Sequence, residues 1–209
     1  MSKVDEFWPR ERNDELMDKL RLKKGSFKII HFGALGIANG ADTIIETAKL
    51  MKDNDSVQFI FLGGGSTETR LKALCKSHEL KNVLFFPKTP MKETSEIVNC
   101  CDASIISFKD LPILYTNSPN KLFDSLSAGK PIIVNSAGWT KDLVEEGQCG
   151  VYVDPNRPQD LVEKIIYLKN NAKLCEEMGR NARKLAIERY DKSILTSQFA
   201  QTVEQLTLT

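Results

Sequence analysis

The sequence predicts an α/β fold: a doubly wound, parallel, six-stranded Rossmann-like sheet followed by a helical tail. Three observations lead there. Most of six short apolar runs are near-continuous rather than alternating, as expected for strands covered on both faces. Those runs recur at roughly twenty to thirty residues, the length that a strand–helix–strand unit requires. Between them lie segments of helical period, so strand and helix alternate along the chain.

The elements follow in order. Residues 1–25 are charged and strandless, with Trp8-Pro9 after Phe7, and read as an incoming linker plus one polar helix, Glu11–Lys24. Residues 26–156 make the sheet domain, with strands expected at Phe27–Phe32, Val57–Leu62, Val83–Phe86, Ala103–Phe108, Pro131–Val134 and Val151–Val153. Ile44, Ala48 and Met51 stripe one intervening helix, and Leu71, Leu74, Cys75 and His78 another. Ile97 and Val98 mark a shorter one, and Leu122, Phe123 and Leu126 a fourth. After the turn Asp154-Pro155-Asn156-Arg157-Pro158, residues 157–209 carry three helical segments without a strand. Their stripes are Leu161, Ile165 and Leu168; then Leu174, Met178, Ala182 and Leu185; then Leu195, Phe199 and Val203. The last stripe is wide enough to need a partner, and a sticky face is expected there.

Composition narrows the function. The chain has 209 residues, enough for one large domain or two small ones at most, and its 41% hydrophobic content can fill a sizeable core. Its 29 basic and 28 acidic residues nearly cancel, which argues against a nucleic-acid surface. The five cysteines, Cys75, Cys100, Cys101, Cys149 and Cys175, are odd in number and lie in or beside apolar segments. They read as buried thiols in a reducing compartment rather than as a disulfide or zinc framework. The first residues lack the apolar stretch of a signal peptide, and no run reaches membrane-spanning length, so the expected location is cytoplasmic.

Candidate chemistry gathers at strand ends. Gly33 and Gly36 follow the first strand, Asn39-Gly40 opens the next helix, and Gly63-Gly64-Gly65-Ser66 follows the second strand. Glycine turns of this kind can present backbone N–H groups to a phosphate, although they are also ordinary in any such fold. Neither a GxGxxG nor a GxxxxGK[ST] pattern is present. Ser118–Pro131 is the most informative stretch. It sets Asn120, Lys121 and Asp124 around a helix start, with Lys121 suited to phosphate and Asp124 to ribose hydroxyls. The same residues could equally be a helix cap, Asn120 capping and Asp124 favoured by the dipole. Asp53-Asn54-Asp55 spells a metal-binding DxD but precedes a strand, so a solvated turn is the better reading. His31 and His78 read as satisfied core or surface histidines, and no metal site or cofactor is expected.

Phe123-Asp124-Ser125-Leu126-Ser127-Ala128-Gly129-Lys130-Pro131 resembles the "LEAMAxGxP" end of the E-x7-E element of family 4 (group 1) glycosyltransferases. Seven further matches lie in order along the chain. Val4–Pro9 is similar to the "GVDxxxFxP" linker, and Phe32–Gly40 and Phe61–Gly65 to the two glycine turns. Asn82–Pro87 is similar to "NVxFxG", Cys101–Ile105 to "ADxxV", and Glu146–Val151 with Met178–Arg183 to the tail motifs. The resemblance implies the C-terminal, nucleotide-sugar-binding half of a GT-B enzyme that is retaining and needs no metal. It implies catalytic roles for Lys121 and Asp124, and donor contacts at Gly33, Ala34, Gly36, Gly63, Gly64, Pro87, Asn120 and Leu122.

There are departures. Asp124 replaces the second Glu, Thr116 stands where the first would be, and Ala34 and Asn39 replace the Arg and Lys of the first turn. The "P-x-K-L-F-D" form is similar to a branch that transfers N-acetylated deoxy-amino sugars in O-antigen and capsule assembly, which favours a UDP-sugar. The implied partners are that donor and an N-terminal acceptor domain outside this chain, with room for peripheral membrane contact through that domain. The fragment alone is expected to bind but not to transfer. Alternatives are a stand-alone nucleotide- or sugar-binding module on the same fold, and, behind it, a dinucleotide binder.

Overall fold

The computed structural model describes residues 1–207. Its strands are β1 (Phe27–Ala34), β2 (Val57–Gly64), β3 (Val83–Phe86), β4 (Ala103–Ile106), β5 (Ile132–Val134) and β6 (Gly150–Tyr152). They form one parallel sheet in the order β3-β2-β1-β4-β5-β6. The doubly wound sheet expected from sequence is therefore present. Strand ends differ from expectation by two residues at β1, β2 and β4 and by one at β5 and β6. The β1–β2 ladder continues through Gly33–Gly63 and Ala34–Gly64, two residues past the apolar run. β4 stops short of Phe108 because the Phe108 N–H and carbonyl bond the Asn135 side chain instead, at 2.7 and 2.9 Å.

Helices cover both faces. α2 (Ala41–Leu50), α3 (Glu68–Ser77) and α7 (Pro158–Asn170) bury Ile44, Ile45, Leu71, Leu161 and Ile165 against Ile29, Phe59 and Ile105. On the other face, α4 (Met91–Asn99) buries Ile97 and Val98 against Ile30 and Ile60. Beside it, α5 (Asn120–Ser127), α6 (Trp139–Glu146) and α8 (Ala172–Arg189) pack on β4 and β5 through Leu122, Leu126, Val144 and Ala182. Residues alternating along β1 thus feed opposite cores, as the strand period requires.

The N-terminal helix α1 is shorter than expected, Asp14–Lys19. Asn13 caps it by accepting from the Leu16 N–H at 3.0 Å, and Arg21 ends it in a left-handed conformation. It is not polar all round: Met17, Phe7 and Leu22 are buried on the α4 face beside Ile30 and Phe32. Residues 1–25 therefore lie along the sheet domain, and Ser2 bridges to Asp191.

Three sequence motifs meet at one point. A Cβ on Gly179 would lie 2.5 Å from the Gly129 carbonyl, and one on Gly129 would lie 2.9 Å from Pro9. Gly129 also has φ +62, a conformation that glycine adopts without penalty. One Arg183 nitrogen donates to the carbonyls of Val4, Phe7 and Ser127 at 2.8–3.1 Å. The linker-like, signature and tail segments are thus one packing unit. Beyond α8, α9 (Lys192–Thr207) leaves Phe199 72% exposed and Val203 43%.

The amino ends of the strands are held by paired charges. Asp102 accepts from the Lys28 N–H at 2.7 Å and from Arg12 at 2.5 Å. Lys28 is fully buried and donates to the Ser26 carbonyl. Lys130 caps the end of α4 through the Asn99 and Cys101 carbonyls, at 3.0 and 2.9 Å.

Candidate functional site at the carboxyl ends of the strands

Sheet order decides where a crevice can open. β1 sends its connection toward β2, and β4 sends its own toward β5, so the sheet reverses direction between β1 and β4. These two strands pair over only Ile29–Ala103 and Ile30–Ser104. Past that point they part, at the place where ligands bind in open α/β sheets.

α5 aims its start at this crevice. Its cap position is Pro119, which has no side-chain hydrogen bond to offer, and Asn120 is the first helical residue rather than the cap. The capping alternative therefore fails. Lys121 reaches back so that its Nζ lies 2.9 Å from His31 Nε2, near the end of β1, with the Phe108 ring 6.0 Å away. Loss of water drives the Lys121 ammonium down to about 7. His31 is 1% exposed, its pKa is held well below 6.5 by burial and then by Lys121, and its Nδ1 has no partner. It is thus not the satisfied core histidine expected from sequence. One helical turn on, Asp124 keeps a buried Oδ1 without a partner, and burial pushes its carboxyl up to about 6 against the pull of Lys3 and the terminal ammonium. A buried acceptor left open is costly unless a ligand satisfies it.

The glycine turns divide into two kinds. Gly33 has φ +102, and a Cβ there would meet nothing within 4 Å, so it faces open space beside the exposed Ala34. Gly63, by contrast, is buried, and its Cβ would sit 2.0 Å from the Gly33 carbonyl. Gly40 is demanded by the Phe108 backbone, 2.6 Å from its Cβ position, so the start of α2 is packed against the β4 loop. Within the first turn, the Leu35 N–H is spent on the Gly64 carbonyl at 2.9 Å. Asn39 folds back to donate to the Ala34 carbonyl at 2.7 Å. Gly36 flanks a single 3-10 turn, Ile37–Asn39. Leu122 is sealed in the core with Phe108 and Leu126, and its N–H is spent on the Pro119 carbonyl at 3.0 Å, so its side chain is not the ligand contact expected from sequence.

A cavity of about 400 Å³ lies over the ends of β1 and β2, lined by Gly33, Ala34, Gly63, Gly64, Lys88 and Thr89 among others. Lys88 and Thr89 come from the segment after β3, next to the exposed Pro87, and were not legible as site residues. The one signal was a lysine directly beyond a strand's carboxyl end. His31, ninety residues before Lys121, carries no sequence signal as its partner.

Other candidates lie elsewhere. Asp53-Asn54-Asp55 precedes β2 at the amino end of the sheet, where Asp55 pairs with Lys23 and Asn54 braces Ser56. Thr116 ends a 3-10 turn, bonded to the Ile113 carbonyl. His78 closes α3. Among the described residues, no three His, Cys, Asp or Glu are grouped so as to hold a metal, and no helix is long and apolar enough to cross a membrane.

A six-stranded sheet reversing between β1 and β4, with a basic helix start at the reversal, defines a Rossmann-like domain of the GT-B class, in the form of its C-terminal half. The chain belongs to the group 1 glycosyl transferases, whose family pattern matches residues 12–185. A poly(ribitol-phosphate) alpha-N-acetylglucosaminyltransferase of Staphylococcus aureus is 24% identical over 160 residues, covering 74% of this chain and 31% of that protein. The structure is similar to sucrose-phosphate synthase from Thermosynechococcus elongatus, with TM-score 0.81 and 16% identity over 99% of this chain and 51% of that one. It is also similar to Anabaena HepE in complex with UDP-glucose, with TM-score 0.80 and 19% identity over 97% and 55% of the two chains. The chain spans less than half the length of these curated relatives, from 31% to 46%.

Proposed function

We propose that this chain is the donor-binding half of a retaining, metal-independent glycosyltransferase. It takes a sugar from a nucleotide diphosphate, with UDP favoured, to a saccharide or lipid-linked acceptor in surface polysaccharide synthesis in the cytoplasm. The favoured sugar is an N-acetylated deoxy-amino sugar, and an N-terminal acceptor domain, with peripheral membrane contact, completes the enzyme. One observation carries the reading: α5 delivers Lys121 into the crevice between β1 and β4. The UDP-glucose complex of the similar HepE fold supports the ligand class.

The chemistry follows from charge. When the anomeric C–O bond breaks, the electron pair goes to the diphosphate oxygen and positive charge grows on the sugar. Catalysis then needs donors already aimed at that oxygen. Lys121 and the uncapped first turn of α5 supply them, with the open Gly33 letting backbone approach. The unpartnered Asp124 Oδ1 takes a ribose hydroxyl. Ala34 and Asn39 leave the first turn without side-chain charge, so Lys121, with Lys88 at the cavity rim, carries the phosphate. The test is a thermal-shift and calorimetric screen of the chain against UDP-, GDP-, dTDP- and ADP-sugars. A UDP-sugar should bind, and no transfer should follow. The reading fails if no nucleoside diphosphate binds.

A further inference from the structure

The contact between Lys121 and His31 holds more than a binding lysine requires. Both groups are drawn into the crevice from opposite walls, Lys121 on α5 and His31 on β1, and they meet at 2.9 Å. Their other neighbours are aromatic: Phe61 of β2, its ring centre 5.7 Å from the imidazole, and Phe108 beyond β4, 6.0 Å from the amine. Asp124, one helical turn along α5, feels the charges of Lys3 and the terminal ammonium. Among the described residues no carboxylate shifts either group: His31 feels the Lys121 charge, and Lys121 feels only the loss of water.

Two protonation patterns fit this geometry, and His31 Nδ1 discriminates neither because it has no partner. In one, a Lys121 ammonium donates to a bare Nε2, and the imidazole proton sits on Nδ1. In the other, Nε2–H donates to a neutral amine. Two cations cannot sit together at this distance in so dry a place. An anionic phosphate entering the crevice favours the first pattern, since it needs the ammonium.

Resting on the reading of this crevice as the diphosphate site, we propose that His31 is the positioning residue for Lys121, the two forming a proton-sharing pair that takes up one proton from solvent when the diphosphate binds. The proton goes to Lys121 Nζ and nothing leaves in exchange. His31 then offers its Nε2 lone pair, fixing one of the three ammonium hydrogens and leaving two for phosphate oxygens. The Lys121–His31 pair is thereby nearly uncharged in the empty site above about pH 7 and cationic in the filled one, and the site releases its ligand more readily as pH rises.

The experiment is calorimetry of UDP on the intact chain, in buffers of different ionisation enthalpy, from about pH 6 to 8.5. The wild type should take up close to one proton per UDP at about pH 8, because the empty-site ammonium titrates at about 7. Its affinity should fall roughly tenfold per pH unit above that point. Lys121→Met should bind weakly with no uptake. His31→Leu should lose affinity roughly tenfold at about pH 7.5 and regain it toward pH 6, its pH midpoint moved down because the ammonium has lost its acceptor. His31→Gln, which keeps an acceptor in place, should return the midpoint toward wild type. UDP binding without proton uptake, or a His31→Leu profile that overlays the wild type, would overturn this inference and leave the phosphate site standing. No UDP binding by the wild type at any pH would sink the site and this inference together. Folding of each variant is read independently from its thermal unfolding, and the pH midpoint, unlike affinity alone, does not move through simple loss of packing.

Discussion

The two ends of the sheet treat buried charge in opposite ways. At the amino ends, Lys28, Asp102, Arg12 and Lys130 are neighbours, and each finds a partner in a carbonyl, an amide or the opposite charge. At the carboxyl ends, Lys121 has a neutral imidazole, His31 Nδ1 has nothing, and Asp124 Oδ1 has nothing. The same residue type, buried in the same domain, is a structural cap in one place and an open valence in the other. Unmet buried polar groups lower stability, and those of His31 and Asp124 lie at the carboxyl ends, where a ligand can complete them. The amino ends hold the sheet together, and the carboxyl ends hold the proposed site.

The largest effect should come from removing a satisfied charge. Lys130→Met strips two buried carbonyls of their donor and should cost about 1–3 kcal/mol, less than the lost bonds alone because burial also holds the Lys130 ammonium below its usual range. Urea unfolding checks it, and UDP affinity of the folded fraction should be unchanged. A loss of affinity equal to that of a Lys121 variant would erase the distinction between the two ends.

The matching change at the other end should invert the sign. The Lys121 ammonium is depressed to about 7 from its ordinary value near 10.5. The unfolded chain therefore binds the extra proton between these limits, and stability rises with pH across that window. Lys121→Met should raise stability by about 1–3 kcal/mol at pH 7, with no gain above about pH 10.5. Yet Lys121→Ala should weaken UDP-sugar binding roughly tenfold to a hundredfold, the worth of a charged hydrogen bond. Unfolding and calorimetry on both variants make the pair of measurements. A destabilised Lys121→Met with unchanged UDP affinity would mark the lysine as another structural cation.

Asp124 should behave likewise, with smaller amplitude. Its carboxyl is raised to about 6, so the native state holds the proton more tightly than the unfolded chain, and stability falls as pH rises from about 4 through 6. Asp124→Asn should gain about 1–2 kcal/mol at pH 7 and nothing near pH 4. The same variant should weaken uridine as well as UDP, whereas Lys121→Ala should spare uridine. If Asp124→Asn affects UDP but not uridine, the carboxylate does not serve the ribose.

The smallest expected effect is none. Excess EDTA should leave turnover of the complete enzyme unchanged, since Asp53-Asn54-Asp55 lies at the amino ends with Asp55 engaged by Lys23. Lost turnover that Mn²⁺ or Mg²⁺ restores would show a metal where this reading has none.

Much of this molecule could be read along the chain. Near-continuous apolar runs such as Val57–Leu62 and helical stripes such as Leu161, Ile165 and Leu168 identified the sheet and its covering helices, because burial on a periodic element depends on local sequence alone. The turn glycines and the Asn120–Asp124 helix start were legible for the same reason. What those residues touch was not. His31 and Lys121 are ninety positions apart. Leu122 fits a ligand contact as well as a core residue until α5 is docked on β4. Lys88 becomes part of the site only when β3 lies beside β2. The sequence by itself determined which elements form and in what order, though not where α1 and β4 end. Tertiary structure alone decided which side chains share the crevice, because the order of strands in the sheet sets which two of them part.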